Sequence, residues 1–226
     1  MMLKVKDVTK LLEISEKTLH KWIAKRKFPA HEMNDQYHFV RSEILEWATA
    51  NRIPINPQLF LDCKEESGHL PSLKASLEAG GIIYRLEGND RESILRSMVR
   101  YLRLPPEVDP DFVYELILAR EKLDSTGIGD GIAIPHPRSP LIFNLSQPML
   151  ALFFLEQPID FSALDGKPVF ALFCILSLTA RGHIHMISRL AYALQDSRFR
   201  ELIQQQGSRE TILTELQRVE SSLLTS

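Results

Sequence analysis

The residues with the clearest chemical potential lie in one stretch, REKLDSTGIGDGIAIPHPRSP, at positions 120–140. Its centre is His136, which stands between two prolines and follows a glycine-rich segment. A neutral imidazole is a competent nucleophile near pH 7, and glycines let backbone N–H groups approach an anion. The apolar run 132–134 predicts a strand that ends where the prolines stop ladder pairing. A loop histidine that only caps a carbonyl is the alternative interpretation.

The stretch resembles the phosphorylation-site signature of phosphotransferase-system enzyme IIA domains of the fructose, mannitol and nitrogen-regulatory class. That signature, roughly RE-x-x-x-S/T-G-x-G-x-G-x-A-x-P-H, is followed from Arg120 to His136 with one additional residue, because both Ser125 and Thr126 precede Gly127. The resemblance extends from about residue 70 to the last helix and includes 159–161 with the Asp165-Gly166 pair. It implies an α/β (α+β) fold in which a IIA-type mixed sheet is flanked by helices.

The resemblance also implies roles for individual residues. His136 would accept a phosphoryl group from the phosphohistidine of an HPr-like carrier protein, with no cofactor, nucleotide or metal. Arg120 offers a bidentate cation for phosphate, and His183 would bind a phosphoryl oxygen or orient the nucleophile. Candidate phosphate-binding donors are Ser125, Thr126 and the backbone near Gly131. Pro137, directly after His136, departs from the family pattern, which usually has a small flexible residue there.

Competing site chemistries fit less well. His183 and His185 are two residues apart, so on a helix their rings diverge, and no cysteine or carboxylate cluster accompanies them for a metal. The G-x-G-x-G run lacks the lysine and hydroxyl residue of a nucleotide-binding P-loop. A nucleophile elbow of the hydrolase type is missing as well.

The first 52 residues have a different pattern. Apolar spacing predicts a helix over 3–12, a cap at Ser15, a second helix over 16–25, a small β-wing within 28–40 and a third helix over about 42–50. This block resembles the helix-turn-helix of excisionase and MerR-type regulators. In that family the second helix enters the major groove.

On that resemblance, the residues that would face DNA are Lys17, Thr18, His20 and Lys21. The segment carries ten lysines and arginines against seven acidic residues, while the rest of the chain is net acidic. Two departures weaken the match: the wing lacks a basic cluster, and Glu13 replaces the usual glycine before the turn. A protein-docking module is therefore the alternative to DNA binding.

The remainder predicts alternating helices and strands. Helices are expected over 72–79, 90–102, 111–122, 183–194 and 209–224, and a strand over 82–86. Three further apolar segments, 150–155, 159–161 and 169–176, are candidate strands or helix starts. The expected organisation is a helix-turn-helix domain at 1–52, a linker at 53–69 and a IIA domain at 70–226. Cys174 falls inside an apolar strand and is expected to be a core residue.

Composition places the 226-residue chain among ordinary globular proteins, with 44% hydrophobic and 25% charged residues. No apolar run approaches the length of a membrane span, and the two cysteines suit a reducing compartment, so a cytoplasmic location is expected.

The expected function is a regulatory phosphocarrier, a phosphohistidine phosphotransferase rather than a multiple-turnover metabolic enzyme. Its partners would be an HPr-like protein, DNA and a regulated target. The alternatives are a sugar-transport IIA component that passes phosphate to a IIB cysteine, and an interaction module that is not phosphorylated.

Overall fold

A computed structural model describes residues 2–25, 28–33, 36–40, 43–44, 47–48, 51, 53, 72–138, 145–163 and 165–225. The N-terminal part comprises β1 (Met2–Leu3), α1 (Val5–Leu11), α2 (Glu16–Lys25), β2 (His31–Met33) and β3 (Gln36–Val40). The three strands form an antiparallel sheet in the order β1-β3-β2. The two helices and the β-wing were expected from the sequence. Strand β1 was not expected, because a helix over 3–12 was predicted to include Leu3.

The turn between α1 and α2 follows the local chemistry. The Ser15 hydroxyl accepts a hydrogen bond from the Thr18 amide at 3.1 Å, which confirms the predicted cap of α2. Glu13 has a φ of 52°, in the left-handed region that favours glycine. The glutamate that departs from the family pattern therefore occupies a strained position.

Part of the predicted organisation lies outside the described residues. Of the third helix predicted over 42–50, the structure describes positions 43–44 and 47–48, which are helical. Position 53 is the only residue of the predicted 53–69 linker that the structure describes.

The larger part contains six helices and five strands among its described residues, which are 72–138, 145–163 and 165–225. The helices are α3 (Leu73–Gly80), α4 (Arg91–Arg100), α5 (Pro110–Glu121), α6 (Ala180–Ala193), α7 (Ser197–Gln204) and α8 (Arg209–Thr225). The strands are β4 (Gly81–Leu86), β5 (Gly127–Gly129), β6 (Ile132–Ala133), β7 (Met149–Ile159) and β8 (Val169–Leu176). They form a mixed sheet in the order β4-β7-β8-β6-β5. The predicted mixed sheet flanked by helices is confirmed.

The sheet is covered on both faces, and this explains the continuous apolar runs in β7 and β8. Alternate residues of each strand belong to different clusters. Leu150, Leu152 and Phe154 pack with α3, α6, α7 and α8, whereas Ala151 and Phe153 pack with α4 and α5. Cys174 lies in the second cluster, 1% exposed, and burial raises the pKa of its thiol to about 12. The prediction that it is a core residue is confirmed.

Three elements differ from the sequence predictions. The separate strand at 159–161 is wrong, because Ile159 ends β7 and residues 160–163 have no regular structure. Residues 127–129 form β5 where only a loop was expected, since Asp130 and Gly131, with φ of 51° and 76°, make a tight turn that pairs β5 with β6. Helix α7 was missed, although Asp196 caps it by accepting from the Phe199 amide. No helix among the described residues is long and apolar enough to cross a bilayer.

Candidate functional site around His136

Sheet topology brings the two key histidines together. Strands β6 and β8 are parallel, and the Ile175 amide extends the pairing by donating to the Pro135 carbonyl at 3.3 Å. His136 therefore follows the carboxyl end of β6 at the edge where β8 also ends. Helix α6 starts just beyond β8, with its first turn capped by Thr179, and carries His183. The ring centroids of His136 and His183 are 5.0 Å apart.

One hydrogen bond sets the tautomer of His136. Its Nδ1 lies 2.7 Å from the Ile134 carbonyl oxygen, and the side chain is 2% exposed. A carbonyl can only accept, so Nδ1 must carry the proton. In the neutral ring the lone pair then resides on Nε2. The imidazole caps a carbonyl, as the alternative interpretation held, and still presents a nucleophilic nitrogen.

The carbonyl of Ile134 is held by a buried network that begins at Glu121. The Thr126 hydroxyl and amide donate to the Glu121 carboxylate at 2.6 Å and 3.1 Å, and the Thr126 carbonyl accepts from the Ile134 amide at 3.0 Å. Burial raises the pKa of Glu121, against the Thr126 hydrogen bonds and the charges of Arg91 and Arg120. Glu121 was not selected from the sequence. Its position directly after Arg120 in the signature was the available signal.

Arg120 is near the end of α5, as predicted, and its side chain returns toward the glycine-rich segment. One terminal nitrogen donates to the Asp124 carbonyl at 2.9 Å, and the residue is 9% exposed. Arg120, Arg138 and His136 line the same cavity, whose volume is about 560 Å³. The guanidinium groups and the His136 imidazole therefore line a common space that is large enough for a phosphoryl group, since one water takes up about 30 Å³ of the liquid.

The predicted phosphate-binding residues have protein partners in this structure. The Ser125 hydroxyl donates to the Phe161 carbonyl, and the hydroxyl and amide of Thr126 are used by Glu121. Ser125 and Thr126 both line the cavity. Gly131 is not among the lining residues, and its carbonyl accepts hydrogen bonds from the amides of Phe170 and Ala171. Their roles as phosphoryl ligands remain predictions.

The second histidine of the His183-x-His185 pair is also buried, at 5% exposure. Within the part of the chain that the structure describes, no group of three or more histidine, cysteine or carboxylate side chains is arranged to hold a metal ion.

The candidate DNA-binding residues lie on α2, and they are not among the residues that line the cavity at His136. Lys17, His20 and Lys21 are exposed. The Thr18 hydroxyl lies 2.8 Å from the Ser15 hydroxyl, and the His20 ring is 5.9 Å from that of Tyr37 in the wing. Lys17 and Lys21 are thus the best placed of the four for a phosphate backbone.

Comparison with known proteins identifies both parts. Residues 76–219 match the family "Phosphoenolpyruvate-dependent sugar phosphotransferase system, EIIA 2", and residues 2–52 match a helix-turn-helix domain family. The chain is 32% identical over 143 residues to the nitrogen regulatory protein of Pseudomonas aeruginosa, which covers 62% of this chain and 91% of that protein. It is 39% identical over 146 residues to the Escherichia coli nitrogen regulatory protein, 64% of this chain and 77% of that one.

Solved structures agree with the sequence comparisons. The nitrogen regulatory protein IIA-Ntr from Neisseria meningitidis matches with a TM-score of 0.53 and 31% identity, over 61% of this chain and 94% of that one. A IIA domain structure from Streptococcus pyogenes, 20% identical with a TM-score of 0.54, shares the fold over 66% of this chain and 97% of its own. These similarities support a phosphocarrier role. The chain belongs to the EIIA type 2 family of the phosphotransferase system and carries a helix-turn-helix domain at its N-terminus.

Proposed function

We propose that the chain is a regulatory phosphocarrier in which His136 accepts a phosphoryl group from the phosphohistidine of an HPr-like protein. The observation that carries this proposal is the contact of His136 Nδ1 with the Ile134 carbonyl, which leaves the lone pair of the neutral ring on Nε2. It is supported by the His183 ring, whose centroid is 5.0 Å from that of His136, and by Arg120, which lines the same cavity. The division of labour that we propose assigns the phosphoacceptor to residues 70–226 and a separate output function to residues 1–52, joined by 53–69.

The proposed transfer is a single exchange of P–N bonds. The Nε2 lone pair attacks phosphorus, the bond to the donor imidazole nitrogen breaks, and its electron pair stays on that nitrogen. His136 keeps its Nδ1 proton, so the phosphorylated ring gains positive charge, which the Ile134 carbonyl stabilises. Arg120 stabilises the charge on the equatorial oxygens, and His183 orients the acceptor or binds an oxygen.

Regulation is favoured over sugar transport by the relatives at 32–39% identity, which are named nitrogen regulatory proteins. The alternative is transfer onward to a IIB cysteine, since a fructose-specific EIIABC component of Bacillus subtilis is 30% identical over 131 residues. That match covers 20% of the Bacillus protein.

The second half of the proposal is that the N-terminal domain binds DNA through α2. The support is the fold, together with Lys17 and Lys21, which are exposed and one helical turn apart. Thr18 and His20 would then act mainly through their contacts with Ser15 and Tyr37.

Phosphorylation at His136 is tested with phosphoenolpyruvate, enzyme I and HPr. The wild-type chain is expected to gain one acid-labile phosphate, and His136→Ala is expected to gain none because it lacks the nucleophile. His20→Ala, which changes an exposed histidine on α2, serves as the matched control and is expected to match the wild type. Failure of the wild type to incorporate phosphate would contradict the relay.

Glu121 is expected to act as a positioning residue. Glu121→Gln replaces an acceptor of two Thr126 donors by a group that also donates, so the Ile134 carbonyl is held less firmly. The rate of phosphate transfer is expected to fall by roughly tenfold or more, because small displacements of reacting groups slow a reaction strongly. Glu115→Gln, an exposed change on the same helix, is the control.

The accompanying readout is the His136 tautomer observed by nitrogen NMR. In Glu121→Gln the two neutral tautomers are expected to mix, whereas the wild type keeps the proton on Nδ1. A variant that loses only unfolding free energy, with the tautomer and rate unchanged, would show that Glu121 is merely structural.

DNA binding is tested by the salt dependence of affinity for a mixed-sequence duplex. Replacing Lys17 and Lys21 together by alanine is expected to weaken binding and to reduce the slope of log K against log[salt] by roughly two, because each lost phosphate contact removes about 0.9. Lys10→Ala, an exposed lysine on α1, is the control. Binding that is insensitive to both salt and these replacements would argue for the protein-docking alternative.

A further inference from the structure

The cavity that His136 lines is bordered by residues of both parts of the chain. Its inner wall comes from the IIA domain and includes Arg120, Arg138 and the segment 123–128. Its outer wall comes from the N-terminal domain. That wall is formed by Phe28, Pro29, Ala30, His31, Val40, Glu43 and Trp47. The phosphoacceptor therefore opens into a space between the two domains.

The outer wall rests on a packed aromatic cluster. The ring of Trp47 lies 4.6 Å from that of Phe28 and 5.2 Å from that of Trp22, measured between centroids. The buried apolar residues of this cluster are continuous with those of the IIA domain, including Ile128 and Ile134 beside the nucleophile. The two domains thus share apolar contact at the face that carries His136, and such contact is lost when they separate.

A carrier protein that docks over His136 would meet the outer wall. A volume of about 560 Å³ accommodates a phosphoryl group, whereas a specific protein interface takes about 800 Å² from each partner. Because residues of the outer wall line the same cavity as the buried His136, we expect the interface of a docked carrier to overlap them, so that the wall moves away when the donor imidazole reaches Nε2.

We propose that the face around His136 is a single interaction surface that binds either the chain's own N-terminal domain or a protein that carries a phosphohistidine, and never both at once. The proposal rests on His136 being a phosphoacceptor. It adds that carrier docking displaces the helix-turn-helix domain, so the phosphorylation state of the chain is transmitted to that domain by competition for this surface.

Charge in the cavity keeps the domains apart after transfer. Among the described residues of the outer wall, the ionisable side chains are His31 and Glu43, which are paired at 2.8 Å. A phosphoryl group carries a charge of about −1.5 to −2, so the Glu43 carboxylate would face a like charge if the wall returned. Arg120, Arg138 and Asp124 belong to the inner wall and remain beside the phosphoryl group in either arrangement.

The tryptophans provide a direct readout of this surface. The chain has two, Trp22 and Trp47, both in the N-terminal domain, and Trp47 is 7% exposed in the outer wall. In the full-length Trp22→Phe variant, acrylamide quenching reports Trp47 alone. Phosphorylation with phosphoenolpyruvate, enzyme I and HPr is expected to raise its quenching constant at least about twofold. The same variant carrying His136→Ala is expected to show no change.

A second arm measures the competition itself. A specific protease site is inserted within 54–71 of the full chain, and the rate of phosphate uptake is compared before and after cleavage. Cleavage removes the high effective concentration that a covalent tether gives to the N-terminal domain, which is of the order of millimolar, so uptake at micromolar protein is expected to accelerate at least about fivefold. The uncleaved protein is its own control.

The outcomes separate this inference from the proposed function. Phosphate uptake with unchanged Trp47 quenching, or with the same rate before and after cleavage at every dilution, would overturn shared use of the surface while His136 remained a phosphoacceptor. Uptake by the cleaved chain alone would support shared use. Absence of uptake by both forms would overturn the proposed function and this inference together.

Discussion

The hydrogen bond from the His136 Nδ1–H to the Ile134 carbonyl is the constraint on which the site depends. It decides which imidazole nitrogen is protonated and therefore which one carries the lone pair of the neutral ring. The geometry requires that the Ile134 carbonyl face the ring, and two neighbouring bonds fix the backbone there. The Ile134 amide donates to the Thr126 carbonyl, and the Pro135 carbonyl accepts from the Ile175 amide. The sheet and the glycine-rich segment thus set the tautomer together.

Glu121 stabilises the glycine-rich segment through its hydrogen bonds with Thr126. Burying a carboxylate is costly unless its oxygens are hydrogen-bonded, and here Thr126 supplies two donors while Arg91 lies 3.8 Å away. The same arrangement places Arg120, the next residue toward the N-terminus, at the cavity. Of the Arg-Glu pair in the signature, Arg120 lines the cavity and Glu121 holds the backbone of Thr126 beneath it.

Much of the fold could be predicted from local sequence, because the signals there are strong. The boundaries of α2 and β8 follow from apolar periodicity and capping. The signature contains Arg120 and His136, and the wider resemblance to the family pointed to His183. The β5–β6 hairpin was missed although Asp130-Gly131 is a pair typical of such turns, since the glycine-rich segment was interpreted as a loop. The same glycines are typical of a phosphate-binding loop and of a tight hairpin turn, so the sequence alone did not distinguish the two.

Other features could not be predicted, because they depend on contacts between distant residues. The hydroxyls of Ser125 and Thr126 have the chemistry to bind phosphate, but the Phe161 carbonyl and Glu121 already accept from them. The cavity combines Trp47 with His136, which are 89 positions apart in the chain. Such pairings arise from the tertiary arrangement, in which residues of the helix-turn-helix domain and of the EIIA domain line one cavity.

The most direct measurement is the position of the phosphorus on the ring, determined by nitrogen–phosphorus NMR of the phosphorylated chain with ¹⁵N-labelled histidine. The expected result is a single phosphohistidine, at Nε2 of His136, with the Nδ1 proton retained. Phosphorus bonded to Nδ1, or to any other histidine, would contradict the role given to the Ile134 hydrogen bond.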